Sequence, residues 1–327
     1  MRRIAQALLV LELLGLRSNS VPQVRIRQEH TLSSLQAPGF YRGTLGMFEV
    51  TALSDGIAPR RLDEIMSDPK VVQWELSADH ESEPVAISIN AYLINTGSHL
   101  VLVDTGAGDL FGSSSGLLLS NLAASGYRAD QVDMILLTHI HGDHSGGLTA
   151  RGTRQFPNAT VYVDGRDIAL WLSKSKEERS APSARKTFEQ SQATVNPYME
   201  AERVMEIKPD VEVIPGITAR TASGHTPGHT VYLVESQGHR LVLWGDTIHA
   251  AEVQFSHPDI TVRYDVDAQD AIRSRRRWLN VAGTTGVLVG AAHISFPGLG
   301  HVRKTDHGYR WVPIAYSPTV TELDRKP

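Results

Sequence analysis

The sequence predicts an α/β fold in which two β-sheets are covered by helices within one main domain. Three observations predict it. From Phe48 onward, short strand-like and helix-like stretches alternate along the 327-residue chain. No low-complexity linker separates the first half of that alternation from the second. In both halves, imidazole and carboxylate side chains stand just after apolar strands, which is what a site assembled over a sheet edge requires.

In chain order, residues 48–53, 87–94 and 100–103 read as strands, the last ending in Asp104-Thr105-Gly106. Residues 117–124 read as a helix. The apolar run 132–138 reads as a buried strand and 159–163 as another, with helices over 166–173 and 183–195. In the second half, 211–214 and 217–221 are strands, and 231–235 and 241–244 form a hairpin around Ser236-Gln237-Gly238-His239. Asp265 caps a helix over 266–281 whose apolar stripe is Ala268, Ala271, Ile272, Trp278 and Leu279. Residues 286–292 form a last buried strand that delivers His293.

The N-terminus reads differently. Met1-Arg2-Arg3 precedes an apolar stretch over residues 4–16, and Ser18-Asn19-Ser20 offers small residues before Val21, so residues 1–20 read as a signal peptide or a short N-terminal helix. Glu12 interrupts the stretch, which is too short to span a bilayer, and no stable membrane insertion is expected. Export to the periplasm or the medium is preferred to a cytoplasmic location. Residues 21–44 read as a polar N-terminal arm, available for a homodimer contact, and residues 45–320 as the main domain.

Composition narrows the chemistry. A hydrophobic content of 41% and a charged content of 21% are ordinary for a soluble globular protein, and the length allows a substantial core. A net charge of -4 carries no nucleic-acid footprint, and the one basic run, Arg273 to Arg277, fits the solvated face of a helix. Cysteine is absent, which excludes disulfides, thiolate nucleophiles and thiolate-held metals. Any metal ligands must be His, Asp or Glu.

Those residues cluster. Between Thr138 and Gly147 the chain places His139, His141, Asp143 and His144 directly after a hydrophobic strand. Imidazole and carboxylate are the ligand set that zinc and similar divalent ions prefer. His139 and His141 leave the strand end on one face, because side chains two apart in extended chain point the same way. Gly142 then turns the backbone, and Asp143 and His144 come round to a second direction. A solvated loop needs none of these groups. Later come Ser223-Gly224-His225-Thr226-Pro227-Gly228-His229, then Gly245-Asp246 after a strand, then His293 after another.

The set H-x-H-x-D-H, G-H-T-P-G-H, G-D and a late His resembles the metallo-β-lactamase-fold hydrolase superfamily over nearly the whole chain from about residue 45. Pro22 to Arg25, Gly39 to Arg42 and Ala291 to Gly298 further resemble its methyl parathion hydrolase branch and the lactone-hydrolysing relatives. The resemblance implies an αββα sandwich, two mixed sheets flanked by helices, around a dinuclear centre. It implies that His139, His141 and His225 hold one divalent ion, that Asp143, His144 and His293 hold the other, and that Asp246 bridges them. Asp104 and His229 would support the ligands by hydrogen bonding. Zinc is the first expectation, with manganese, cobalt or iron also compatible. Two such ions sharing a water would give a bridging hydroxide at ordinary pH, with Asp143, Asp246 or a nearby histidine passing a proton to the leaving group.

Three further features bear on the substrate. Phe111, Trp171 and Phe188 stand in segments that border the cleft if the resemblance holds, and they suggest an aromatic wall. His249 follows Asp246 on the same loop, where an imidazole can hydrogen-bond a lactone or ester oxygen; the resembled organophosphate hydrolase is apolar there. Tyr264 can line the same wall. The expected activity is opening of a lactone or cleavage of an aryl ester, with phosphotriester hydrolysis as a weaker activity. A methyl parathion-type hydrolase, a β-lactamase, a thioesterase and an iron-dependent persulfide dioxygenase are the alternatives within the resemblance. A bridging Asp246 speaks against the β-lactamase.

Overall fold

The computed structural model describes residues 36–324, so the readings for residues 1–35 lie outside the described residues. The first sheet starts with β1 (Phe40–Leu45), β2 (Phe48–Arg60), β3 (Val85–Asn95), β4 (Leu100–Val103) and β5 (Met134–Leu136). A small hairpin, β6 (Thr149–Ala150) and β7 (Thr153–Arg154), stands apart before β8 (Thr160–Asp164) and β9 (Val204–Ile207) complete the sheet. The second sheet runs in sequence order through β10 (Glu212–Ile214), β11 (Ile217–Thr221), β12 (Thr230–Ser236), β13 (His239–Leu243), β14 (Leu288–Gly290), β15 (Leu299–Thr305) and β16 (Gly308–Pro313). Each sheet has seven strands and mixes parallel with antiparallel pairs.

Alternation along the strands explains the layering. Val101 and Val103 of β4, with Met134 and Leu136 of β5, point inward against Tyr232, Leu241 and Leu243 of the second sheet. The intervening Leu100, Leu102 and Ile135 point outward into a separate core. The helices before the second sheet are α1 (Leu62–Ile65), α2 (Pro69–Ala78), α3 (Leu118–Ala124), α4 (Gly142–Ser145), α5 (Gly165–Trp171), α6 (Lys174–Arg179) and α7 (Pro182–Glu200), and α8 (Ala251–Gln254) follows β13. That outer core is closed by α3, α5 and α7. On the far side, Val231, Val242 and Val289 pack under Trp278, Leu279 and Ala282 of α9 (Ala268–Thr285). Helix, sheet, sheet, helix is therefore the order of layers. A strand buried on both faces has no polar side to show, which is why β4 and β5 read as unbroken apolar runs.

Several boundaries differ from the sequence reading. Residues 40–44, read as arm, belong to β1, which pairs with β2 from Phe40↔Leu53 to Leu45↔Phe48. β2 continues past Leu53 to Arg60 through a register shift at Ser54/Gly56, where Gly56 has φ 122°. The strand over 286–292 is not the last, since β15 and β16 follow it and extend the sheet. The hairpin over 231–244 has a two-residue turn in which Gln237 and Gly238 both have positive φ, the geometry that matches strand twist. Among the described residues, no helix is long and apolar enough to cross a membrane.

Candidate metal centre

β4 and β5 run parallel in the first sheet, as do β13 and β14 in the second, so the segments leaving all four strands emerge at one edge. β5 is followed by His139 and His141, and the change of direction is made by a single helical turn, α4 (Gly142–Ser145), which His141 enters in extended conformation. Asp143 and His144 lie within that turn. Gly147 follows because a Cβ there would collide with the Thr105 carbonyl. β11 leads to His225, β13 to Asp246 and His249, and β14 to His293.

Asp246 lies at the centre. Its Oδ1 is 2.9 Å from His144 Nε2 and 3.1 Å from His293 Nε2. Its Oδ2 is 3.1 Å from His225 Nε2, 3.0 Å from His249 Nε2 and 3.7 Å from His139 Nε2. One carboxylate oxygen thus faces each of two groups. The ligand atoms of His139, His141, His225 and Asp246 lie within 4.8 Å of one another, as do those of Asp143, His144 and His293. Asp143 stands furthest off, 3.8 Å from His293 Nε2 and 3.9 Å from His144 Nε2, and is the more exposed of the two acids.

Most of these imidazoles are anchored from behind. His144 Nδ1 meets Asp104 Oδ2 at 2.8 Å, and the same carboxylate accepts the Thr138 N–H and hydroxyl. His225 Nδ1 meets Asp265 Oδ1 at 2.8 Å, and His293 Nδ1 meets the Ser88 carbonyl at 2.9 Å. A nitrogen committed outward leaves Nε2 as the atom that faces inward toward Asp246. His229 differs: Nδ1 meets the Ala222 carbonyl and Nε2 accepts the Asp246 N–H, so neither nitrogen is free for a ligand.

The donor set fits divalent cations. His139 Nε2, His144 Nε2 and Asp246 Oδ1 are buried without a hydrogen-bond partner. Lone pairs facing one another in a dry pocket need a positive charge between them. Burial pushes His139 well below its ordinary value and His141 down to about 3, whereas for His144 burial is outweighed by Asp246 and Asp104, which raise the imidazole well above its own. For His225 burial acts in the same direction, but Asp246 and Asp265 outweigh it and raise the imidazole to about 9. Burial alone would raise Asp246; the surrounding histidines, His144 and His293 foremost, hold it well below the carboxylate range.

The cluster forms the floor of a cavity of about 800 Å³. Phe111, Trp171, His249 and Tyr264 line it. Phe188 does not: expected in the wall, it lies behind Trp171, with ring centroids 4.9 Å apart, because it is on the face of α7 that packs into the outer core.

A family model of the metallo-beta-lactamase superfamily matches residues 85–302, which hold every one of these candidate ligands. The chain belongs to that superfamily. Among solved structures, the superfamily hydrolase AbOPH matches with a TM-score of 0.82 at 35% identity, covering 86% of this chain and 100% of that one. AidC, a dizinc quorum-quenching lactonase solved with the product N-hexanoyl-homoserine, matches with a TM-score of 0.80 at 25% identity, covering 85% and 98%. An N-acyl homoserine lactonase of Bacillus thuringiensis is 25% identical over 205 residues, 57% of this chain and 73% of that protein. An atrochrysone carboxyl ACP thioesterase of Passalora fulva is 28% identical over 162 residues, and the match spans only 38% of its length. This superfamily member is a metal-dependent hydrolase.

Asp265 and Arg275 are among the residues supporting this superfamily member's site that escaped the sequence reading. Asp265, read as a helix cap, instead holds His225 and accepts the Val262 N–H; the cap of α9 is Asp267, which accepts the Asp270 N–H. Arg275, read as part of a solvated basic face, is buried and donates to the carbonyls of Thr247, Pro258 and Ile260. It ties down the loop that leaves Asp246. The change Asp265→Asn is expected to lower zinc affinity about 10- to 100-fold, because the His225 ring loses the anion that orients it. Competition with a chromophoric chelator measures this, and unchanged affinity would remove Asp265 from the centre.

Proposed function

We propose that the protein opens lactones or cleaves aryl esters, with phosphotriester hydrolysis as a weaker activity, and that it works as a dinuclear metallohydrolase. His139, His141 and His225 would hold one cation, Asp143, His144 and His293 the other, and Asp246 both. Support for this division is that each Asp246 oxygen faces a different set of imidazoles. Zinc is the expected ion, in keeping with the dizinc relative. Cations bound there would supply a hydroxide nucleophile at neutral pH and polarise the scissile bond.

The chain's own groups account for the rest. Phe111 and Trp171 present apolar faces that would hold an acyl or aryl group and keep water from it. His249 carries the substrate reading. It is 93% buried, it lines the cavity, and its Nε2 lies 3.0 Å from Asp246 Oδ2. From there an imidazole kept neutral by burial can donate an N–H hydrogen bond to the ring oxygen of a lactone as the C–O bond breaks. An aryloxide leaving group, on a phosphotriester or an ester, needs no such donor, whereas the alkoxide released from a lactone does, so a histidine here favours the lactone. The likeness to AidC, a lactonase, points the same way.

Steady-state rates on an aryl lactone and on an aryl phosphotriester test the reading. The lactone is expected to show the higher kcat/KM, and a clear preference for the phosphotriester overturns the proposal. The variant His249→Leu is expected to lose about 100-fold in lactone kcat with its metal content unchanged. Loss of metal in that variant would make His249 a ligand instead.

A further inference from the structure

The rim of the same cavity carries three cations, Arg60, Lys186 and Arg263. Among the described residues no carboxylate pairs with any of them. The acids lining the cavity are Asp143, Asp246 and Asp265, which face the imidazoles of the floor. A cavity with an all-cationic rim is unexpected in a chain whose net charge is -4. Two of the three are held against the wall by aromatic faces. The Arg60 guanidinium lies 5.0 Å from the Phe111 ring centre and that of Arg263 lies 5.2 Å from the Tyr264 ring centre. Both rings also line the cavity. Stacking restrains the guanidinium groups; Arg60 Nη1 donates to the Pro59 carbonyl and Arg263 Nη2 to the Tyr264 hydroxyl, and no carboxylate takes up their other N–H groups among the described residues.

We infer that this rim selects lactones and esters that carry a carboxylate remote from the scissile bond. A guanidinium presents paired N–H donors that match a carboxylate, and Lys186 adds a point charge. A cleft rimmed by one sign of charge also draws oppositely charged substrates in from solution. The reacting carbonyl would lie on the floor, and the anionic end of the substrate between Arg60 and Arg263. This inference rests on the ester or lactone reading above, and names the class within it.

The test compares two aryl esters of equal length with the zinc-loaded protein: the ester of a monocarboxylic acid and the half-ester of the matching dicarboxylic acid. The half-ester is expected to show a kcat/KM on the order of tenfold higher, carried by KM and diminishing at high salt. Arg60→Leu and Arg263→Leu should each bring that ratio toward one, with Arg60→Lys restoring part of it. Calorimetry with the two corresponding amides, which do not turn over, reads the same preference as binding. A wild-type ratio near one at low salt, with equal binding of the amides, overturns the inference and leaves the ester reading standing. Tighter binding of the carboxylate-bearing amide without turnover of either ester supports recognition of a carboxylate by the rim and overturns the ester reading, and with it the ester class named here.

Discussion

Replacing Asp246 with alanine is expected to lower kcat/KM at least about 1000-fold and to leave fewer than two metal ions per chain. The size of the effect follows from the position of the carboxylate. Four histidine Nε2 atoms lie within 3.1 Å of its two oxygens, His144 and His293 on one side, His225 and His249 on the other. Among the described residues no other acid faces both groups, because Asp143 groups with His144 and His293. Without Asp246, two ions would be held by imidazoles and a single peripheral carboxylate, with their mutual repulsion uncompensated. Asp246→Asn keeps the shape and removes the charge, so it should fail nearly as badly. Metal analysis together with steady-state kinetics checks both variants. Full metal retention with kcat/KM within tenfold of wild type would refute the bridging role.

The second large effect is expected at a residue that touches neither metal nor substrate. Asp167, in the first turn of α5, is fully buried. Its Oδ2 accepts the Ile140 N–H at 3.1 Å and the Thr226 hydroxyl at 2.9 Å, and its Oδ1 accepts the Gly228 N–H at 2.6 Å. Ile140 lies between His139 and His141, and Thr226 and Gly228 follow His225. One carboxylate therefore sets the spacing between the ligand loops of the two sheets. Burial pushes Asp167 up to about 6, against the lowering effect of its three donors, so it is ionised and accepting at neutral pH. Asp167→Ala leaves those donors buried and unpaired, at a cost of about 3 kcal/mol in stability. It also releases the loops, and zinc affinity should fall about 10- to 100-fold. Urea unfolding of the metal-free protein separates the first effect from the second. If zinc affinity is unchanged while stability falls, Asp167 supports the fold and not the centre.

The two residues show where sequence stops being informative. The floor of the site was legible because His139, His141, Asp143 and His144 are adjacent in the chain and follow an apolar run, so local order alone brings them together. The layering was legible for the same reason: β4 and β5 carry their burial on both faces as an unbroken apolar pattern. Asp167 gave no such sign, since an acid in the first turn of a helix is ordinary, and its partners lie 27 and about 60 residues away. Asp265 was read as the cap, two positions before Asp267, the acid that caps the helix. Which of them turns toward the helix depends on His225, 40 residues earlier in the chain. Arg275 did leave a trace. It lies four residues after Ala271 and four before Leu279, on the buried stripe itself, where a solvated cation does not belong. Phe188 was misplaced because an aromatic residue beside a cleft and one packed behind its wall have the same spacing.

The most direct measurement is the zinc content of the full-length protein, saturated with zinc and freed of excess, set against an independent determination of protein concentration. Two tightly held ions per chain are expected, both surviving dialysis, and fewer than two in Asp246→Ala. A wild-type protein that is folded, active on ester or lactone, and never binds more than one ion would contradict the dinuclear assignment from which the other expectations follow.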